Sequence, residues 1–226
     1  MTREGAPAES IEALRGRVSP PLREALSRSF ELGFLGGMPI IDQIDHALGF
    51  VSLLEQAFDG PPASVIDLGT GGGVPGLVLL FCWPQTRVVL MDASERRTTF
   101  LSETVSAWPD LSNVEVIRAR AEELGRLGGM REQFQAVTSR SFGIPSAVAE
   151  CGSSFLEPEG RMVVSEPPDS LADERWPAEG LLPLNLVRLS SARVSDRFGY
   201  QVLGKTGVLD DRYPRRVGIP VKRPLF

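Results

Sequence analysis

The sequence is poor in the residues that build metal sites and disulfide frameworks. Its 226 residues include one histidine, His46, and two widely separated cysteines, Cys82 and Cys151. A zinc site needs three or four such ligands, and none of the usual ligand spacings is present. We therefore expect no metal, and we interpret the cysteines as reduced thiols in helical segments of the core.

Long apolar runs are also absent. No run approaches the roughly 18 residues that a membrane-spanning helix needs, and the first ten residues lack the apolar segment of a secretory signal. We therefore expect a soluble, cytoplasmic protein with no membrane partner. The net charge of -5 excludes binding of nucleic acid over the whole surface.

Positive charge is concentrated at the C-terminal end. From residue 205 onward there are six basic residues and only two acidic ones, Asp210 and Asp211; the basic ones are Lys205, Arg212, Arg215, Arg216, Lys222 and Arg223. This segment is interpreted in two ways, as a contact for RNA phosphates or as a solvated terminal strand.

The order of helical and strand patterns predicts the fold. Apolar spacing predicts helices in residues 22–30 and 40–58, so we expect a helical extension over 1–60 and one compact domain over 61–226. Buried strands are predicted at 64–68, 87–91, 114–117, 134–138 and 161–164, with helical segments between them, and two more strands at 186–194 and 200–203. This pattern indicates an α/β, Rossmann-like fold with a mostly parallel seven-stranded sheet and a terminal antiparallel strand.

A glycine cluster follows the first predicted strand and precedes a helix. Such a loop lets the backbone approach a ligand closely, and its free amides suit an anionic group. We predict that this loop and the acid before it bind a nucleotide-like cofactor through Asp67, Gly69, Thr70, Gly71 and Val74. Asp92, at the end of the second strand, is placed to accept hydrogen bonds from both ribose hydroxyls.

The loop also satisfies the dinucleotide fingerprint G-x-G-x-x-G. Three features favour S-adenosyl-L-methionine (AdoMet) over NAD. Asp67 would repel a pyrophosphate but attract an amino group, Pro75 indicates a looser junction of helix and strand than a dinucleotide site has, and no second mononucleotide half follows. A dehydrogenase is therefore the least favoured interpretation.

Several motifs in the same order resemble one family. VIDLGTGGGVPGL, VVLMDASERRTTFL, ARAEE and VTSRSF, with the ending RYPRRVGIPVKRPL, look like the bacterial small-subunit rRNA guanine-N7 methyltransferases, once called glucose-inhibited division protein B. The resemblance runs from about residue 46 to 160. It implies a class I AdoMet-dependent methyltransferase whose partner is small-subunit rRNA.

The resemblance also implies roles for individual residues, with Arg140 and His46 as the candidate catalytic residues and Arg140 also as a candidate cofactor contact. Gly69 and Val74 would line the methionine end of AdoMet, and the ribose and adenine would contact Asp92, Ala93, Ala121 and Glu122. Arg140 would lie at the mouth of the site, where it would orient a phosphate or a purine edge; the alternative is a salt bridge to Asp67, Asp92 or Glu122. His46 would face the cleft from an N-terminal helix, and its alternative is a packed, hydrogen-bonded core residue.

The chain departs from the family pattern at three places that bear on the substrate. Leu32-Gly33-Phe34 stand near the place where many members have Asn-Leu-Thr before the histidine helix. Gly49-Phe50 follow the histidine where the family has Asp-Ser, and Glu166 stands where the family has Lys-Gly. An anionic Glu166 at the rim would disfavour a phosphate backbone. Two alternatives therefore stay open beside the rRNA enzyme: a paralogue that methylates a small heterocyclic metabolite, and a module that binds AdoMet or RNA without catalysis.

Overall fold

Seven strands form one sheet with the mixed direction that the sequence predicts. The computed structural model describes residues 10–226; the first nine residues, part of the predicted helical extension, lie outside the described residues. The strands are β1 (Ser64–Leu68), β2 (Arg87–Asp92), β3 (Val114–Arg118), β4 (Phe134–Ser139), β5 (Leu156–Glu166), β6 (Leu186–Val194) and β7 (Phe198–Lys205). Their order is β3-β2-β1-β4-β5-β7-β6, and β7 alone runs opposite to the other six strands.

Helices cover the sheet on both faces. They are α1 (Ile11–Arg15), α2 (Pro20–Glu31), α3 (Ile40–Phe58), α4 (Gly76–Cys82), α5 (Glu95–Ser106), α6 (Ala121–Leu124), α7 (Pro145–Ser153), α8 (Ala172–Arg175), α9 (Ala178–Leu181) and α10 (Ile219–Lys222). In residues 10–226 no helix is long and apolar enough to cross a membrane.

The central strands consist of apolar residues because both of their faces are buried. In β2, all residues from 88 to 92 are buried, and in β1 all from 65 to 68 are. This is the continuous apolar pattern of a parallel sheet with helices on both sides. Two hydrophobic clusters result, one on each face of the sheet.

The N-terminal helices share the first of these clusters with the sheet. Leu22 and Leu26 of α2 and Ile44, Leu48 and Val51 of α3 are fully buried in it, together with residues of α4 and β2. A bidentate pair from Arg15 to Asp45, at 2.7 and 2.5 Å, joins α1 to α3. Helix α3 is thereby fixed against the sheet, and its polar residues hold defined positions near the carboxyl ends of the strands.

Beyond Lys205, which ends β7, the C-terminal basic segment is not a strand, so the interpretation as a solvated terminal strand is wrong for residues 206–226. After β7, residues 206–226 contain the short helix α10 and otherwise irregular backbone. Pro214, Pro220 and Pro224 remove backbone donors from this stretch, which makes it unsuited to a sheet ladder. It packs on the face of the sheet that holds the second hydrophobic cluster, and we call residues 206–226 the C-terminal strap.

Candidate functional site

The site lies where the parallel strands β1, β2 and β4 end. The sheet reverses its order between β1 and β4, and ligands of open α/β sheets bind at such switch points. The register aligns Asp67 with Thr138 and Leu68 with Ser139, so the polar residues at the ends of both strands are neighbours. The glycine loop leaves β1 at this place.

The glycine loop adopts conformations that other residues rarely take. Gly69, Gly71 and Gly73 have φ values of 65°, 59° and 98°. A side chain at position 69 would also come within 2.7 Å of the Phe142 ring. The backbone therefore favours glycine at all three positions, and the close approach of the neighbouring loop requires it at Gly69.

Asp67 holds the glycine loop from beneath. Its carboxylate accepts hydrogen bonds from the Thr138 hydroxyl at 2.8 Å and from the Gly76 amide at 3.0 Å, and its carbonyl oxygen accepts one from Thr70. Complete burial raises the pKa of Asp67 to about 6, although these hydrogen bonds oppose the shift. Asp67 thus contacts the loop from inside and does not line the cavity described below.

The packing at Gly76 contradicts one reason for preferring AdoMet to NAD, the looser junction of helix and strand predicted from Pro75. A side chain there would lie 2.4 Å from Leu90 and 2.8 Å from the Asp67 carboxylate, so α4 packs tightly on the sheet despite Pro75. The third glycine of the loop therefore serves close packing, as it does in dinucleotide sites. The sheet still distinguishes this fold from a dinucleotide-binding fold. Here the antiparallel β7 lies between β5 and β6, whereas the strands of a dinucleotide-binding sheet are mostly parallel.

A cavity of about 270 Å³ opens beside the loop. Five of the residues predicted to bind the cofactor line it: Gly69, Asp92, Ala93, Ala121 and Glu122. Small side chains at 93, 119, 121 and 147 leave a narrow space, and acidic groups stand on its wall. Thr70, Gly71 and Val74, which were also predicted, do not line this cavity.

Asp92 connects the cavity to the loop. One carboxylate oxygen accepts from the Gly71 amide at 2.9 Å, and the other accepts from the Ser94 amide at 2.8 Å. Arg97 approaches the first oxygen at 3.5 Å. A carboxylate has about four acceptor positions, so Asp92 keeps capacity for ligand hydroxyls while it fixes the loop.

The C-terminal strap closes the far side of this cavity. Pro220 and Val221 line it, and the Gly218 amide donates to Glu122 at 2.9 Å. Buried Glu150 of α7 holds the strap through the backbone amide and guanidinium of Arg215, at 2.6 to 3.0 Å. The motifs around the glycine loop do not predict these strap residues, because the strap lies about 150 positions further along the chain and carries no glycine cluster or acidic motif of its own.

Arg140 directly follows β4, is half-buried and does not line the cavity beside the glycine loop. It donates a short hydrogen bond to the buried amide oxygen of Gln43 on α3, and within the described residues it forms none of the salt bridges considered as its alternative. Gln43 is itself fixed by the carbonyl oxygens of Gly36 and Met38. The Nη1 atom of Arg140 is buried without a partner. Burial lowers the pKa of Arg140, and the nearby Asp67 opposes that shift.

His46 faces a second cavity, of about 310 Å³. Its ring stacks on Phe198 with 4.9 Å between centroids, and both ring nitrogens are buried without hydrogen-bond partners. Burial, with a smaller contribution from Arg140, lowers its pKa to about 3, so the ring is neutral near pH 7. Packed His46 therefore lacks the hydrogen bonds expected of a core histidine, and its polar atoms are available to a ligand.

The two cavities meet at a shared loop. Ser141, Phe142 and Gly143 line both. The first cavity presents acidic acceptors and the second presents unpartnered polar atoms, so two cavities of different chemistry adjoin each other. No cluster of three or more metal-ligating side chains occurs in residues 10–226.

The departure at Gly49-Phe50 is explained by Tyr200. A side chain at Gly49 would come within 2.2 Å of the Tyr200 hydroxyl, which donates to the His46 carbonyl oxygen at 2.6 Å. Phe50 packs edge-on against the same ring at 5.1 Å. Gly49 and Phe50 together admit Tyr200, and this contact fixes the turn of α3 that carries His46.

Glu166 is not the exposed anion that the sequence suggested. Its side chain is 6% exposed, and Arg175 of α8 holds it with Nε and with Nη2, the latter at 3.3 Å. The prediction that Glu166 would disfavour a phosphate backbone is therefore wrong, because the Arg175 guanidinium compensates the charge of Glu166.

Comparison with known proteins identifies related chains. The model of the family described as rRNA small subunit methyltransferase G matches residues 42–172. The ribosomal RNA small subunit methyltransferase G of Thermotoga sp. (strain RQ2) is 33% identical over 167 residues, covering 72% of each protein.

Solved structures show the same fold. Cofactor-bound Rv0187 from MTB covers 83% of this chain and 90% of its own, with a TM-score of 0.57 and 18% identity. The antibiotic-resistance methyltransferase Kmr covers 67% of this chain and 91% of its own, with a TM-score of 0.51 and 16% identity.

Proposed function

The chain belongs to the rRNA small subunit methyltransferase G family, and on that basis we propose that it transfers the methyl group of AdoMet to N7 of a guanine in small-subunit rRNA. The observation that carries the proposal is the pair of adjoining cavities at the carboxyl ends of the strands, with acidic groups in one and unpartnered polar atoms in the other.

The first cavity fits the adenosine part of AdoMet. Asp92 and Glu122 provide acceptors for the ribose hydroxyls and the adenine amino group, and Ala93 and Ala121 leave room for flat rings. Gly69 and the loop as far as Val74 would face the methionine part. We assign Asp67 a positioning role, because its carboxylate already binds the loop amide and Thr138.

The reaction at guanine N7 needs little acid-base chemistry. AdoMet, when bound, supplies an electrophilic methyl group on a sulfonium, and N7 carries an unprotonated lone pair. The protein then has to align the two groups and exclude water. A neutral His46 suits this task, because it offers hydrogen bonds to a purine without removing a proton from it, and Arg140, fixed by Gln43, would hold the loop that the two cavities share.

The proposal is tested with the purified protein in two steps. Equilibrium binding should detect AdoMet and not NAD, and labelled methyl should pass from AdoMet to small ribosomal subunits taken from cells that lack this gene. Binding to subunits should weaken as salt increases, because phosphate contacts release counterions. AdoMet binding with labelling of a metabolite pool but not of subunits would favour the small-molecule paralogue, and binding without any transfer would favour a non-catalytic module.

A further inference from the structure

The second cavity has a polar wall that the proposed reaction does not yet use. Glu166 ends β5, and Arg175 and Trp176 follow from α8. Arg175 and Trp176 lie beyond residues 42–172 that match the family model. Two of these three wall residues thus lie outside the region that the family model matches.

Arg175 fixes the position of the Glu166 carboxylate. Two nitrogens of the guanidinium contact its two oxygens, and the carboxylate is almost fully buried. A carboxylate accepts about four hydrogen bonds, so the fork leaves acceptor positions on both oxygens. Glu166 is thus a fixed, desolvated acceptor on the cavity wall.

Two donors on the same cavity have no partner. Trp176 is fully buried, and its indole Nε1 makes no hydrogen bond; the Ser139 hydroxyl is also buried and unpaired. A buried donor without a partner costs about 1–3 kcal/mol, so such atoms are uncommon unless a ligand satisfies them. The cavity consequently combines a paired-oxygen acceptor with hydrogen-bond donors.

This combination matches one base better than the others. The Watson–Crick edge of guanine presents two adjacent donors, N1–H and the 2-amino group, beside the O6 acceptor. Adenine presents an unprotonated N1, which a carboxylate repels. At about 310 Å³ the cavity is at the lower end of the range for small-ligand sites, roughly 300–1,000 Å³, and suits a single base.

We propose that Glu166 is the residue that selects guanine, by accepting hydrogen bonds from N1–H and the 2-amino group of a base turned out of its stack into the second cavity. Arg175 positions the carboxylate, and Trp176 and Ser139 donate toward O6. Enzymes that modify a base commonly extrude it and read its Watson–Crick edge in this manner. The proposal rests on the proposed function and names the group that gives it base specificity.

The test removes one hydrogen-bond donor from the base and one acceptor from the protein. Small subunits are reconstituted with guanosine or inosine, which lacks the 2-amino group, at the mapped nucleotide, and kcat/KM is measured for the wild type and Glu166→Gln. We expect inosine to lower kcat/KM of the wild type about tenfold or more, because a hydrogen bond to a charged group is lost. In Glu166→Gln the new amide keeps its oxygen on Arg175 and turns a donor toward the base, so the guanosine-to-inosine ratio should fall toward one.

Matched controls separate recognition from folding. Glu174→Gln makes the same change on an exposed neighbour outside the cavity and should keep the wild-type ratio. Trp176→Phe removes only the indole donor and should raise KM for guanosine. AdoMet affinity, measured for every variant, reports an intact cofactor site.

The outcomes are distinguishable. Equal kcat/KM for guanosine and inosine in the wild type, or an unchanged ratio in Glu166→Gln with normal AdoMet affinity, overturns the role of Glu166 and leaves the proposed function standing. Failure of the wild type to methylate guanosine subunits overturns both.

Discussion

The ion pair between Glu150 and Arg215 should connect the stability of the fold to cofactor binding. Glu150 is fully buried on α7, whereas the Arg215 side chain is 25% exposed. Four contacts of 2.6 to 3.0 Å hold the C-terminal strap to this one carboxylate. The strap in turn supplies Pro220 and Val221 to the wall of the first cavity.

Glu150→Gln keeps the shape of the side chain and removes its charge. Breaking a buried ion pair outright costs about 3–5 kcal/mol. We expect a smaller loss, about 2–3 kcal/mol, because one amide oxygen still accepts and the partly exposed Arg215 can be rehydrated. For a chain of this size that corresponds to a decrease in Tm of roughly 4–12 °C.

Two assays check this expectation. Thermal unfolding should show the decrease in Tm, and calorimetry should show weaker AdoMet binding, because the wall formed by the strap loosens. Glu24→Gln, on the exposed face of α2, is the matched control and should change neither quantity. A Glu150→Gln variant with wild-type Tm and wild-type AdoMet affinity would refute the reasoning that the strap completes the cofactor site.

Three further predictions concern the site. Asp92→Ala should weaken AdoMet binding at least about tenfold by calorimetry, since a charged acceptor at the cavity is lost, and unchanged affinity would remove Asp92 from the ribose contact. Gln43→Ala should lower kcat for methyl transfer while Arg140→Ala lowers it further, and equal activity of wild type and Arg140→Ala would show that Arg140 is structural. Burial raises the pKa of Asp67 from its ordinary 3.8 to about 6, so folding is favoured most by this group below pH 4, and its contribution declines as pH rises through 6. In denaturant titrations, the free energy of unfolding of the wild type should therefore fall by about 2 kcal/mol between pH 4 and 6 through this group, and Asp67→Asn should not show that fall. A variant with the wild-type pH profile would contradict the raised pKa.

The strands could be predicted from the sequence because their signal is local. Residues 64–68 were predicted and observed as β1 with the same bounds, since a short apolar run beside a glycine loop has few alternatives. Asp92 was found for the same reason, as an acid directly after an apolar strand. β5 is longer than predicted because Glu157 and Glu159 interrupt the apolar pattern in the first half of the strand.

Contacts between distant residues could not be predicted in this way. The hydrogen bond that Arg140 donates to Gln43 joins positions 97 residues apart, and the one that the Gly218 amide donates to Glu122 joins positions 96 apart. Glu166 was predicted to be an exposed anion because its charge alone was considered. Its partner Arg175 becomes a neighbour only through the turn after β5. Local patterns thus specify elements, and side-chain pairing across elements specifies the site.

The most direct test of the account is the position of the methyl group in rRNA. Subunits from cells lacking this gene are methylated with labelled AdoMet, the RNA is digested, and the labelled nucleoside is identified by mass spectrometry and mapped on the chain. The account predicts a single guanosine methylated at N7. Label on another atom or another base, or no label on the RNA from a preparation that binds AdoMet, would contradict it.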